Sequence, residues 1–197
     1  MITKKQQIIK RSFDIVVSLC GLLLFVLPII ILCLIASRST KASGFFTQKR
    51  VGLNGKNFTI YKIRSMRVSN NNSSVTTLND DRTTSFGRFL RNYKFDELPQ
   101  LYNVFIGDMS IVGPRPDVPD VVDTDSKEVK EILKLRPGIT GLATLYFKNE
   151  EFYFKDTGKA ETINKTVLFP RKVRLNKIYL ENWSFCFDLK IIIKTIF

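Results

Sequence analysis

The stretch IVVSLCGLLLFVLPIIILCLIA, residues 15–36, decides the fold: it is 22 residues without one charge, and nothing comparable recurs in the 197-residue chain. At about 1.5 Å of rise per residue, a helix of this length matches the thickness of a bilayer core. A cleavable signal peptide has a shorter apolar region, roughly 7 to 15 residues, and a clean small-residue cleavage site. Pro28 stands near the middle, where it removes one helix hydrogen bond and clashes with the preceding turn, so a bend is expected there. Lys4, Lys5, Lys10 and Arg11 precede the run, and Arg38, Lys41, Lys49 and Arg50 follow it. Equal cations on both sides give the positive-inside rule nothing to choose between. The residues therefore leave two arrangements open, a single span and a re-entrant helix pair that enters and leaves on the cytoplasmic face.

Outward from this segment, the chain is 44% hydrophobic, 25% charged and carries a net charge of +13, which fits one domain with a real core and excludes a disordered chain. A basic surface beside a membrane segment suits anionic headgroups or phosphate-bearing substrates. No zinc-finger, RNP or other nucleic-acid motif accompanies the charge, so nucleic acid is not an expected partner. There is no histidine, which removes the usual general base, the usual zinc ligand and every Ser-His or Cys-His pair. The three cysteines, Cys20, Cys33 and Cys186, form no disulfide framework and no metal-ligand spacing. Chemistry falls to carboxylates, Lys, Arg, hydroxyls or a hard metal ion.

Residues 44–66 read as strand, turn, strand about Leu53-Asn54-Gly55-Lys56, because Asn-Gly is a strong hairpin signal. Residues 69–81, rich in Asn and Ser, read as a loop. Helical periodicity follows at Phe86, Phe89, Leu90 and Tyr93, then at Leu98, Leu101, Tyr102, Phe105 and Ile106, with Gly107 as a stop. A short helix is expected over 126–135, capped by Ser126. Residues 171–197 carry helical periodicity with aromatic and basic residues, suited either to a membrane interface or to covering the core.

Asp96 and Glu97 stand at the start of an amphipathic helix, and two readings compete. They are helix caps, or the same amides and helix dipole keep a carboxylate ionised as a nucleophile or metal ligand. In GDMSIVGPRP, residues 107–116, two prolines flank Arg115, so its guanidinium loses less freedom on gripping an oxyanion. RPGITG, residues 136–141, again sets a cation, Arg136, beside Pro and Gly.

Taken in order, KRSFD (10–14), FTQKRVG (46–52), YKIRSM (61–66), GRFLR (87–91), FDELPQL (95–101), GDMSIVGPRP, RPGITG and the NWS to DLK stretch (182–190) resemble the bacterial sugar transferase family, the monotopic phosphoglycosyl transferases. The resemblance implies a membrane enzyme that moves a phosphosugar from a UDP-sugar to polyprenyl (undecaprenyl) phosphate, releases UMP and initiates an envelope glycan for downstream glycosyltransferases. It implies Asp96 as nucleophile forming a covalent intermediate, Glu97 with Asp96 as Mg²⁺ ligands, Arg115 as a phosphate contact and Asp188 as a third functional carboxylate. Lys62, Arg64, Arg136 and Thr140 complete the expected substrate-binding set. The implied fold is α+β and mostly helical: residues 1–40 form the basic N-terminus and a re-entrant, helix-break-helix segment bent at Pro28, and residues 41–197 a compact cytosolic catalytic domain with a small β-hairpin and amphipathic interfacial helices. The implied location is the bacterial cytoplasmic membrane, with the catalytic domain on the cytoplasmic face and a homodimer as a possible assembly. Two departures stand out: Leu27 precedes the central proline where relatives often have Ser, and residues 143–151 lack the usual QVNGRN stretch. Competing functions are an inactive membrane-tethered assembly protein on the same fold and a nucleotide-sugar diphosphate hydrolase.

Overall fold

The computed structural model describes residues 3–69, 80–148, 153–154 and 160–197. Helix α1 (Lys4–Thr40) opens on a capping box, in which the Thr3 hydroxyl accepts from the Gln6 amide and the Gln6 side chain accepts from the Thr3 amide. It runs through Pro28 as one helix. The expected helix-break-helix is therefore corrected: proline removes a single N–H donor, and the ladder on either side continues. Buried Asp14, Ser18, Ile29, Cys33 and Ala36 recur at helical spacing along one face. Leu23, Leu24, Leu27 and Leu34 are exposed on the rest of its surface. By length and composition α1 could cross a bilayer.

Strands β1 (Phe45–Val51) and β2 (Asn57–Ile63) pair antiparallel, from Phe45 opposite Ile63 to Val51 opposite Asn57. Asn54 (φ 55°) and Gly55 (φ 76°) both take the left-handed conformation in the connection, which is why Asn-Gly stands there. Helices α2 (Ser85–Asn92) and α3 (Gln100–Ile106) follow as the periodicity predicts, and Gly107 closes α3 at φ 99°. Of the predicted loop 69–81, residues 70–79 lie outside the described residues.

A second sheet pairs β3 (Ser110–Val112) parallel with β4 (Gly138–Thr140), both in segments whose sequence reads as turns. Close approach explains the glycines here: a Cβ on Gly138 would lie 2.1 Å from the Gly113 nitrogen, and one on Gly141 2.1 Å from the Gly113 carbonyl oxygen. Helices α4 (Lys127–Ile132), α5 (Leu142–Tyr146), α6 (Ala160–Ile163), α7 (Phe169–Glu181) and α8 (Phe185–Ile196) complete the order, with a π-helical turn over Asn164–Leu168. Ser126 precedes α4 but makes no side-chain capping bond, contrary to expectation. The predicted C-terminal helix is two helices: the Ser184 hydroxyl accepts from the Phe187 amide and starts α8 afresh.

One core, of Ile60, Val104, Met109, Val112, Tyr179 and Ile191, joins β2, α3, β3, α7 and α8. A second, of Ile29, Cys33, Ala36, Ile63 and Leu90, fastens α1 to β2 and α2. The apolar helix thus shares its buried face with the body carrying the candidate site.

Candidate active site

Lys94, at φ 58°, reverses the chain after α2 and leads into a single 3₁₀ turn, Phe95–Glu97, ahead of α3. Neither this turn nor α3 carries a side-chain capping bond. The capping reading of Asp96 and Glu97 therefore does not describe this structure. Both residues are nonetheless buried, each 8% exposed. Burial of two adjacent carboxylates needs compensation.

Compensation comes from two other elements. The Lys62 ammonium, on β2, donates to Glu97 Oε1 at 2.8 Å, and the Arg115 guanidinium donates to the same oxygen at 3.1 Å. Arg115 follows β3 and is held between Pro114 and Pro116. Burial disfavours the Glu97 carboxylate, but Lys62 and then Arg115 outweigh it and hold this acid well below the usual range. Asp96 goes the other way. Burial, reinforced by the Glu97 charge and opposed by Lys62, raises its pKa. Burial also lowers the pKa of Lys62, against the pull of Glu97. Asp96 Oδ1 is buried with no hydrogen-bond partner among the described residues. An orphaned carboxylate oxygen beside a fully compensated one is a reactive arrangement, because little must be broken before it attacks.

The pair also suits a divalent cation of the magnesium type, which takes one or two carboxylates and fills its remaining positions with water and substrate phosphate. Among the described residues no group of three His, Cys, Asp or Glu could cage an ion. A protein-only metal site is thus not what these residues offer, whereas Asp96 and Glu97 fit a shared one.

Of the expected site residues, the structure joins Asp96, Glu97, Lys62 and Arg115. The others lie elsewhere. The Arg64 guanidinium donates to the Ser43 carbonyl at 2.7 Å and lies over the Phe46 ring. Arg136 donates to the Gly107 carbonyl at 2.8 Å, closing the end of α3. The Thr140 hydroxyl meets that of Thr195 at 2.6 Å. Asp188, 2% exposed, accepts from Lys10, Tyr179 and Trp183, none of which touches Asp96 or Glu97.

Two supporting residues escaped the sequence reading. Asp14 Oδ1 accepts from the Ser110 hydroxyl at 3.1 Å and the Ile111 amide at 2.9 Å, so α1 fixes the strand that launches the Arg115 loop. Its signal was available, since Asp14 is the one acid in the first 36 residues. Asn103, fully buried, donates to the Thr59 carbonyl at 2.7 Å and accepts from the Tyr61 amide at 3.2 Å, tying α3 to the strand that bears Lys62.

A buried acid pair, of which Glu97 is ion-paired with Lys62 and Arg115, beside a long apolar helix agrees with the match to known proteins: the chain belongs to the bacterial sugar transferase family, whose model covers residues 5–197. It is 36% identical over 196 residues to a UDP-glucose:undecaprenyl-phosphate glucose-1-phosphate transferase of Klebsiella pneumoniae, covering 96% of this chain and 40% of that protein. It is 33% identical over 212 residues to the undecaprenyl-phosphate galactose phosphotransferase of Salmonella typhimurium, 98% of this chain and 40% of that one. Against the sugar transferase EpsL of Bacillus subtilis identity is 36% over 191 residues, 96% of this chain and 86% of that protein. The chain thus spans less than half of the two named undecaprenyl-phosphate transferases.

Proposed function

We propose that this chain transfers a sugar phosphate from a UDP-sugar to polyprenyl phosphate, the first membrane step of an envelope glycan. The observation that carries the proposal is Asp96, whose buried carboxylate has an unpartnered oxygen next to a glutamate held ionised by Lys62 and Arg115. In the first step Asp96 Oδ1 attacks the β-phosphorus, and the bond from that phosphorus to the bridging oxygen breaks. UMP leaves with the electron pair, and the sugar phosphate stays on Asp96 as an acyl phosphate. In the second step a polyprenyl phosphate oxygen attacks the same phosphorus, breaks the bond to Asp96 and restores the carboxylate. Neither step needs a general base, which fits a chain without histidine. Arg115 and Lys62 supply positive charge where the diphosphate gathers negative charge. When bound by Asp96 and Glu97, Mg²⁺ would screen the diphosphate further.

Incubation of the purified chain with labelled UDP-sugar, with and without polyprenyl phosphate, tests this reading. UMP release that continues past one equivalent only with the lipid is expected. Sustained release without lipid would make the protein a hydrolase, and none at all an inactive tether.

For the membrane we propose that both ends of α1 face the cytoplasm. Two features support it. The basic flanks are equal, and buried contacts run along one face from Asp14 to Ala36, so the body lies beside nearly the whole helix. With the three native cysteines removed, cysteines placed at Thr3 and Ala42 are expected to resist a membrane-impermeant thiol reagent in intact cells and to react after lysis. Labelling of position 3 from outside would make α1 a plain span.

A further inference from the structure

The inward side of the 3₁₀ turn and of α3 is polar where a core helix is normally apolar. Asp96, Glu97, Gln100 and Asn103 are all buried on it, Gln100 at 2% exposed, with the i, i+1, i+4, i+7 spacing of one helix face. The backbone between the acids and Gln100 stays helical, at φ −52°, ψ −39° for Leu98 and φ −62°, ψ −16° for Pro99. Gln100, three residues on from Glu97 and four from Asp96, is therefore a neighbour of both, with roughly 5–6 Å between Cβ atoms. Two of the four polar side chains have evident duties. Asn103 uses both ends of its amide to tie α3 to β2, and Glu97 Oε1 takes Lys62 and Arg115. One acceptor and one donor are left, Asp96 Oδ1 and Gln100 Nε2, each buried without a hydrogen-bond partner among the described residues. Only four side-chain atoms there share that condition, so two of them within one turn call for an explanation.

We infer that Gln100 is a catalytic residue whose side-chain amide donates to a non-bridging oxygen of the phosphorus under transfer; the inference rests on the transferase reading. A carboxylate oxygen that attacks phosphorus and a donor that grips an oxygen on the same phosphorus must stand side by side, as Asp96 and Gln100 do. Lys62 and Arg115 are engaged with Glu97 before substrate arrives. The Gln100 N–H is uncommitted, so no bond has to break before it is used. A neutral donor also suits the position. A further cation here would pair with the Asp96 carboxylate itself, whereas an amide gains most where charge gathers on the phosphoryl oxygens. Gln100 forms no covalent bond and moves no proton. It serves both steps alike, because the phosphorus that bonds to Asp96 in the first is the one attacked in the second. A glutamine kept only for structure would have partners, as Asn103 has; a buried amide without one works against the fold.

Gln100→Met in the full chain, purified in detergent, tests the assignment, because methionine keeps the side-chain length and lacks the donor. The variant is expected to slow both the first release of UMP, followed in a single turnover, and lipid-dependent turnover by about 10²–10³-fold, the usual loss for one such donor. Its donor KM should stay near that of wild type, since the bond strengthens only as the transition state forms. Its melting temperature should be unchanged or higher, which a structural glutamine would not allow. Gln100→Leu, also apolar and close in volume, is expected to behave alike and serves if the methionine variant does not fold. A wild-type rate in either step, a loss confined to KM, or a lowered melting temperature with turnover kept overturns the inference and leaves the transferase reading standing. Absence of UMP release from wild type itself would overturn that reading, and the role of Gln100 with it.

Discussion

Asp96→Asn is expected to abolish turnover and covalent labelling by UDP-sugar while leaving the melting temperature unchanged or higher. The amide keeps the shape of the side chain but has no negative charge with which to attack phosphorus, so the first step has no nucleophile. Stability runs the other way because burial, with the Glu97 charge, raises the Asp96 pKa. A carboxyl whose folded pKa lies above its unfolded value binds its proton more tightly in the native state, so stability falls as pH rises through the window between the two. At neutral pH the charge therefore works against the fold, and a neutral isostere relieves it, a trade of stability for activity found at many active sites. The same shift gives a pH dependence: the first step should lose rate on acidification at a pH above that of an ordinary aspartate. Glu97, held ionised by Lys62 and Arg115, should stay charged over that range. Near-normal turnover in Asp96→Asn would remove the nucleophile assignment. A lower melting temperature would contradict the account of its burial.

What could be read from the sequence follows the length of each signal. The hairpin was legible because Asn54 and Gly55 meet a stereochemical demand for positive φ that few residue pairs satisfy. Helices α2 and α3 were legible because their apolar residues repeat over two turns. The β3 and β4 strands were not, since three residues cannot show alternation and their glycines look like turn residues. The same limit applies to the site. Adjacent acids are visible in a sequence, but Lys62 reaches Glu97 only because Asn103 ties α3 to β2. Arg64 illustrates the converse. It stands two residues beyond Lys62, the spacing that shares a strand face, but β2 ends at Ile63, and its guanidinium turns back to the Ser43 carbonyl. Arg136 is likewise taken up by the Gly107 carbonyl at the end of α3, where a cation meets the negative end of the helix. Cations beside turns have unpaired carbonyls within reach, and local sequence does not say whether a carbonyl or a substrate oxyanion wins.

Asp188→Ala is expected to lower the melting temperature by roughly 6 to 20 °C, the shift that about 3–5 kcal/mol produces in a chain of this size. The carboxylate is the centre of a buried network: Oδ2 accepts from Lys10 at 2.5 Å and from the Trp183 indole at 3.2 Å, and Oδ1 accepts from the Tyr179 hydroxyl at 2.6 Å. It thereby joins α1, α7, the break after α7 and α8. Tyr179 is 1% exposed, and burial followed by the Asp188 charge drives its pKa far upward, so its hydroxyl remains a donor at any accessible pH. Removing Asp188 leaves the Tyr179 hydroxyl only a long bond to the Val112 carbonyl at 3.5 Å and takes the acceptor from the indole N–H and from a largely buried ammonium, and an uncompensated buried charge costs more than the pair contributed. The double variant Lys10→Met/Asp188→Leu removes the charge together with its partner and should recover a substantial part of the lost stability. Kinetics separate this role from contact with substrate. If Asp188 only joins the helices, variants assayed well below their melting temperature keep the donor KM of wild type. A raised donor KM at unchanged melting temperature would instead put Asp188 on the substrate and overturn the structural role that its three partners define.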